Sequence, residues 1–155
     1  MRRSFIWLLL LVGWLAVALS ARAAAGRVIK VLPQLLDLKG RSSLSPSLYE
    51  RDAYQAFLRQ HTNQISAMAF HIQWKAKGKP TAPLKLRVEV RGAARGSLPK
   101  PVVLEKPVEP GGWFSHWTGI PLSRDDYKNL GEVTAWRVTL WEETQLLGEQ
   151  QSFLW

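Results

Sequence analysis

The chain has 155 residues, a net charge of +9 at neutral pH and no cysteine. Without cysteine there is no disulfide framework, thiol nucleophile, thiolate metal site or cysteine-linked lipid anchor. Glycine-rich phosphate loops and a Gly-x-Ser-x-Gly nucleophile elbow are also missing from the sequence.

Residues 1–25 open with Arg2 and Arg3, continue as an apolar run from Phe5 to Leu19 and end in small residues. As a helix that run spans roughly 22 Å, short of the ~30 Å hydrocarbon core of a bilayer. The three-part pattern is that of a cleaved signal peptide, with Ala23 and Ala25 as candidate cleavage positions. Its removal takes Arg2, Arg3 and Arg22, so the charge falls from +9 to +6. Residues 26–155 then suffice for a single domain with its own core. An exported domain of this size without disulfides is expected in a bacterial periplasm or secreted, with no stable membrane span after signal removal.

The segment from Arg27 to Leu38 mixes apolar and polar residues around Pro33. Proline cannot donate to a sheet ladder, so an edge strand or two short pieces are expected. Residues 47–60 read as one amphipathic helix. Pro46 suits its start, Ser47 and Glu50 have capping-box spacing, and Leu48, Tyr49, Ala53, Phe57 and Leu58 recur at helical intervals. From Ile65 the period changes to two: Met68, Phe70, Ile72 and Trp74 alternate with Ala69, His71, Gln73 and Lys75. After a turn at residues 77–80, Leu84, Leu86, Val88 and Val90 alternate with Lys85, Arg87, Glu89 and Arg91, a strand with one buried and one wet face.

Residues 100–108 form a proline-interrupted edge strand, and residues 113–120 another short strand. Ser123 caps a short helical turn that Gly131 ends. A final hairpin turns at Glu143-Thr144. With a two-residue turn, Trp141 faces Leu146, Val138 faces Glu149 and Trp136 faces Gln151. Polar residues then fall on the core side, so a bulge, an edge position or a longer turn is needed.

About seven strands joined mostly by short turns, with one early helix, close most readily as an antiparallel two-sheet sandwich. Over residues 65–155 the layout resembles immunoglobulin-like and fibronectin-type-III-like sandwiches, with Trp74 on an early central strand and a terminal hairpin. The Cys–Trp–Cys framework is missing and Tyr127 does not match a tyrosine corner. A fold so widely shared implies no activity.

Trp74 and Trp136 belong to core faces by parity, and Trp141 to the end of the sandwich. Trp113 and Trp117 share a face with Ser115, while Phe114 and His116 take the other. Both faces are thus aromatic, and Trp113, Trp117 and His116 form the candidate ligand site; an exposed indole stacks on the apolar face of a sugar ring. The candidate basic surface is Lys85, Arg87 and Arg91. His61, His71 and His116 lack metal-ligand spacing, and the acidic pairs at 125–126 and 142–143 fall in turns. No catalytic residue, cofactor or metal is expected, nor is nucleic-acid binding, which needs a tighter basic cluster. The expected activity is non-catalytic binding of a protein or envelope glycan. A carbohydrate-binding module using Trp113 and Trp117 is the alternative, and a small outer-membrane barrel a third reading.

Overall fold

The computed structural model describes residues 25–78, 80–94, 101–110 and 114–155. Apart from Ala25, the expected signal peptide lies outside the described residues, as does Trp113. In chain order the elements are β1 (Ala25–Asp37), α1 (Leu48–Gln60), a 3-10 turn (Thr62–Gln64), β2 (Ile65–Lys77), β3 (Leu84–Gly92), β4 (Val102–Val108), β5 (His116–Leu122), α2 (Arg124–Leu130), β6 (Val133–Glu142) and β7 (Gln145–Gln151). The strands form a three-stranded sheet, β1-β2-β5, and a four-stranded sheet, β4-β3-β6-β7. Every pairing is antiparallel. The result is the mainly-β sandwich expected from the strand pattern, and its architecture is compatible with immunoglobulin-like folds.

The period-two faces meet between the sheets. Phe70, Ile72 and Trp74 of β2 pack with Leu84, Leu86, Val88 and Val90 of β3 and with Val138 and Leu140 of β6. Each such side chain contributes roughly 1.5–3 kcal/mol by leaving water. Trp74 satisfies its one donor inside this layer, with Nε1 bonding Thr118 Oγ1 at 2.9 Å. Leu130 of α2 closes one end of the core. The Ser123 cap forms as expected: its Oγ accepts from the Asp126 N–H at 3.0 Å.

β1 is an edge strand, as Pro33 requires, but it runs unbroken through the proline with bulges near Ile29 and Leu36. Two devices cover its exposed edge. Towards its start, β7 crosses so closely that a Cβ on Gly148 would lie 2.7 Å from Arg27 Cα. Towards its end, the buried side chain of Gln55 on α1 acts as a substitute strand. Its Oε1 accepts from Leu35 N at 2.8 Å, and its Nε2 donates to Leu35 O at 2.9 Å and Ser42 O at 2.8 Å.

That contact sets the roll of the helix, so that of the apolar stripe read in the sequence Leu58 is buried while Leu48, Tyr49, Ala53 and Phe57 are exposed. Arg51, Tyr54, Gln55 and Leu58 turn inwards, whereas Leu48 and Tyr49 are exposed, Tyr49 at 84%. The sheet edge presents backbone polar groups and the Asp37 carboxylate, and these need polar partners more than apolar cover. Nor does the capping box form: Ser47 makes no side-chain cap bond.

The terminal hairpin has the two-residue turn, with Glu142 opposite Gln145 and Trp141 opposite Leu146. The register then slips, so that Leu140 faces Gly148 and Leu147 is the extra residue of a bulge on β7. Glu149 and Gln151 thereby move opposite Thr139 and Arg137, off the core side. Gln150 takes the place opposite Val138, where its Oε1 is buried without a hydrogen-bond partner among the described residues.

Candidate functional site

Trp117 lies on β5 with its side chain outward from the three-stranded sheet and 52% exposed. His116, its neighbour, points the other way, and its ring lies 5.6 Å from that of Trp74 in a tilted contact. Alternation along β5 therefore separates the two. The candidate surface Lys85, Arg87 and Arg91 lies on the outer face of the four-stranded sheet, where its charges are largely spoken for. Lys85 pairs with Glu105 at 3.0 Å, and Arg87 with Glu89 at 2.9 Å. Arg137 adds a second cation to Glu89. Arg91 stacks 4.0 Å from the ring centre of Trp155, which Arg137 also approaches at 4.9 Å.

A different basic surface surrounds Trp117. Across β1, β2 and β5, Lys30, Gln73 and Trp117 form one row. The next position along the outward face pairs Arg27 with Lys75, and Lys77 follows opposite Ala25. On the other side, Leu32, His71 and Gly119 make a third row. These rows contain no carboxylate, and among the described residues no ion pair engages Arg27, Lys30, Lys75 or Lys77. Two cations placed directly opposite across strands repel each other, so the Arg27–Lys75 pair is unfavourable without an anion. Arg27, Lys75 and Lys77 also line a shallow hollow of about 220 Å³ together with Ala25 and Gly26.

The floor beside Trp117 is shaped by small and polar groups. Gln73 Nε2 donates to Ser115 Oγ at 2.9 Å, which fixes the amide next to the indole. Gly119 leaves a low step, with the His71 ring 3.7 Å from where a Cβ would stand. Burial and the nearby Arg51 guanidinium hold the His71 pKa below its ordinary value, so its ring is neutral at pH 7. The far end of the same face is not open: Ala67 and Ala69 point outward yet are buried where the α1 connection passes from β1 to β2.

The buried carboxylates are occupied elsewhere. Asp37 accepts from Lys39 N and Arg41 N at 2.8 Å, from the Tyr54 hydroxyl at 2.8 Å and from the Arg41 guanidinium at 2.8 Å. Burial opposes its ionisation, but these donors outweigh burial and keep its pKa well below the usual carboxylate range. Glu142 accepts from Thr81 N at 2.6 Å, Ala82 N at 3.1 Å and the Thr81 hydroxyl at 3.1 Å. The Thr81 N–H, followed by the weaker opposing effect of burial, leaves its pKa lowered. Both carboxylates tie loops to strands. Among the described residues no group of three His, Asp or Glu side chains is placed to hold a metal ion. A second hollow, about 460 Å³, is lined by Pro80, Pro83, Pro107 and Pro110 with Glu109 as its one charged group.

Part of the basic face was readable in the sequence, since alternation along β2 already turned Lys75 and Gln73 away from the core. The bulge near Ile29 was not: it turns both Arg27 and Lys30 to that side, which strict alternation from Arg27 would forbid. Comparison with protein-family models, with curated proteins and with solved structures finds no match to this chain.

Proposed function

We propose that the chain is an exported, non-catalytic binding module, a fibronectin-type-III-like sandwich that holds an envelope component on the outer face of its three-stranded sheet. The observation that carries this reading is the set of cations Arg27, Lys30, Lys75 and Lys77, free of ion pairs among the described residues, beside the half-exposed Trp117. A charged aromatic face without a local counter-charge suits an external anionic partner. The signal-like N-terminus supports an envelope setting. The facing sides of the sheets are an interlocked apolar core, which speaks against a polar barrel lumen. The strand order supports the sandwich subtype: the fourth strand joins β3, so the sheets divide three and four.

The test is retention of the full chain on washed envelope fractions. Arg27→Glu/Lys75→Glu is expected to abolish retention, whereas Arg124→Glu/Lys128→Glu, on the exposed side of α2, is expected to retain it. Unchanged retention of the first variant removes this face from the function.

A protein partner is the second reading, favoured by the exposed Leu44, Leu48 and Tyr49 at the start of α1. Cross-linking in the envelope with wild type and Tyr49→Ser decides it: a cross-linked band lost in the variant supports this surface, and a band unaffected by the change dismisses it.

A further inference from the structure

We infer that the ligand of the three-stranded sheet face is an anionic, carboxylate-bearing polysaccharide, with a pyranose ring stacked on Trp117 and its acidic groups paired with Lys30, Lys75 and Arg27. The inference rests on the binding reading above and assigns its ligand class.

Three features of the face define the chemistry. Trp117 supplies one broad apolar ring beside an amide and a hydroxyl, Gln73 and Ser115, held at 2.9 Å from each other. A sugar ring presents this pairing in reverse, with an apolar face bordered by hydroxyls. Gly119 keeps the surface low on one side of the indole, so a flat ring can lie against it. The cations of β1 and β2 extend from Trp117 in one direction, while across β5 Lys106 donates to Gly119 O at 3.1 Å. Lys30 lies beyond Gln73, and the Arg27–Lys75 pair sits one outward position further along β2. With about 3.3 Å per residue and about 4.8 Å between strands, Lys75 lies roughly 8 Å and Arg27 roughly 12 Å from Trp117 along the sheet, a reach that takes successive units of a chain rather than a single sugar. A polymer with a stacking ring and acid groups along its length therefore matches both parts of the face. The bound carboxylates also relieve the repulsion between Arg27 and Lys75.

Other anionic partners fit less well. Single-stranded nucleic acid uses successive aromatic side chains for successive bases. Across the three rows Trp117 is the one indole, with Gln73 and Lys30 as its neighbours in register, and the other ring, His71, is half-buried in the next row. A lipid surface favours an apolar wedge flanked by cations, whereas here the indole is bordered by a hydrogen-bonded polar pair.

The experiment is affinity electrophoresis of the full chain in gels containing polygalacturonate, or dextran as the uncharged control. Flotation with phosphatidylglycerol vesicles and a gel shift with a thymidine oligonucleotide accompany it. Polygalacturonate is expected to retard the wild type and dextran is not. Trp117→Ala is expected to weaken the interaction about ten-fold, and Arg27→Glu/Lys75→Glu to abolish it. Both changes are on the outer face; unchanged melting temperatures confirm that the variants fold. Equal retardation of wild type and Trp117→Ala overturns the inference, because charge alone then explains binding. Tighter, Trp117-dependent binding of the oligonucleotide or the vesicles also overturns it. If polygalacturonate is not bound while the charge reversal still abolishes envelope retention, the ligand class is wrong and the binding face stands. If the charge reversal leaves envelope retention intact, both fall.

Discussion

Replacing Gln55 with Met tests how the edge of β1 is protected. Met matches Gln in length and in helix propensity, so the change isolates the polar contacts. Three hydrogen bonds are lost: Leu35 N to Gln55 Oε1, and Gln55 Nε2 to Leu35 O and to Ser42 O. Each is worth about 1 kcal/mol net, and a buried backbone group left without a partner costs about 1–3 kcal/mol. Ser42 is only partly buried and can turn to water, but both Leu35 groups lie beneath the helix. The gain from a more apolar side chain offsets some of this, leaving an expected loss of about 2–4 kcal/mol. In urea the midpoint falls by roughly 1–2 M at an unchanged slope. Gln60→Met, at an exposed position of the same helix, is the control and should shift nothing. Hydrogen exchange at the Leu35 amide should accelerate in the Gln55 variant before global unfolding. A loss below about 1 kcal/mol, with Leu35 still protected, refutes the view that this side chain substitutes for a strand.

Acid stability should depend on Asp37. Its pKa is lower folded than unfolded, so its contribution is complete above about pH 4 and is lost as the pH falls further. Asp37→Asn is then less stable at pH 7 and shows a shallower decline between about pH 4 and 2; parallel stability curves by thermal melting refute this. Gly148→Ala puts a Cβ 2.7 Å from Arg27 Cα and 2.9 Å from Gly26 O, and should cost about 1–3 kcal/mol in urea unfolding as β7 is pushed off β1. Glu143 occupies a left-handed conformation at φ 51°, so Glu143→Gly should raise stability by about 0.5 kcal/mol, the strain relieved less the added freedom of the unfolded chain. A lower melting temperature in that variant argues against strain at the turn.

Much of the fold was determined by the sequence through local rules. Alternation placed Phe70, Ile72 and Trp74 opposite Leu86, Val88 and Val90 in the core, because a strand's side chains have no choice but to alternate. Pro33 marked an edge because it has no N–H to share, and Ser123 marked a helix start because its oxygen meets an otherwise unpaired donor. The tertiary structure decided what depends on partners distant in the chain. The bulge at Leu147 appears only once β7 must keep Glu149 off the core, and the one near Ile29 only once β1 is paired with β2. The helix turned Gln55 and Leu58 to the sheet and left Leu48 and Tyr49 outside, because backbone groups 20 residues away required hydrogen bonds. In the same way, the stripe Lys85, Arg87 and Arg91 looks free in the sequence, yet Glu105 arrives from β4 and Trp155 from beyond β7 to occupy it. The cluster Arg27, Lys30, Lys75 and Lys77, free of ion pairs among the described residues, lies instead on β1 and β2, brought together by a register that no single segment contains.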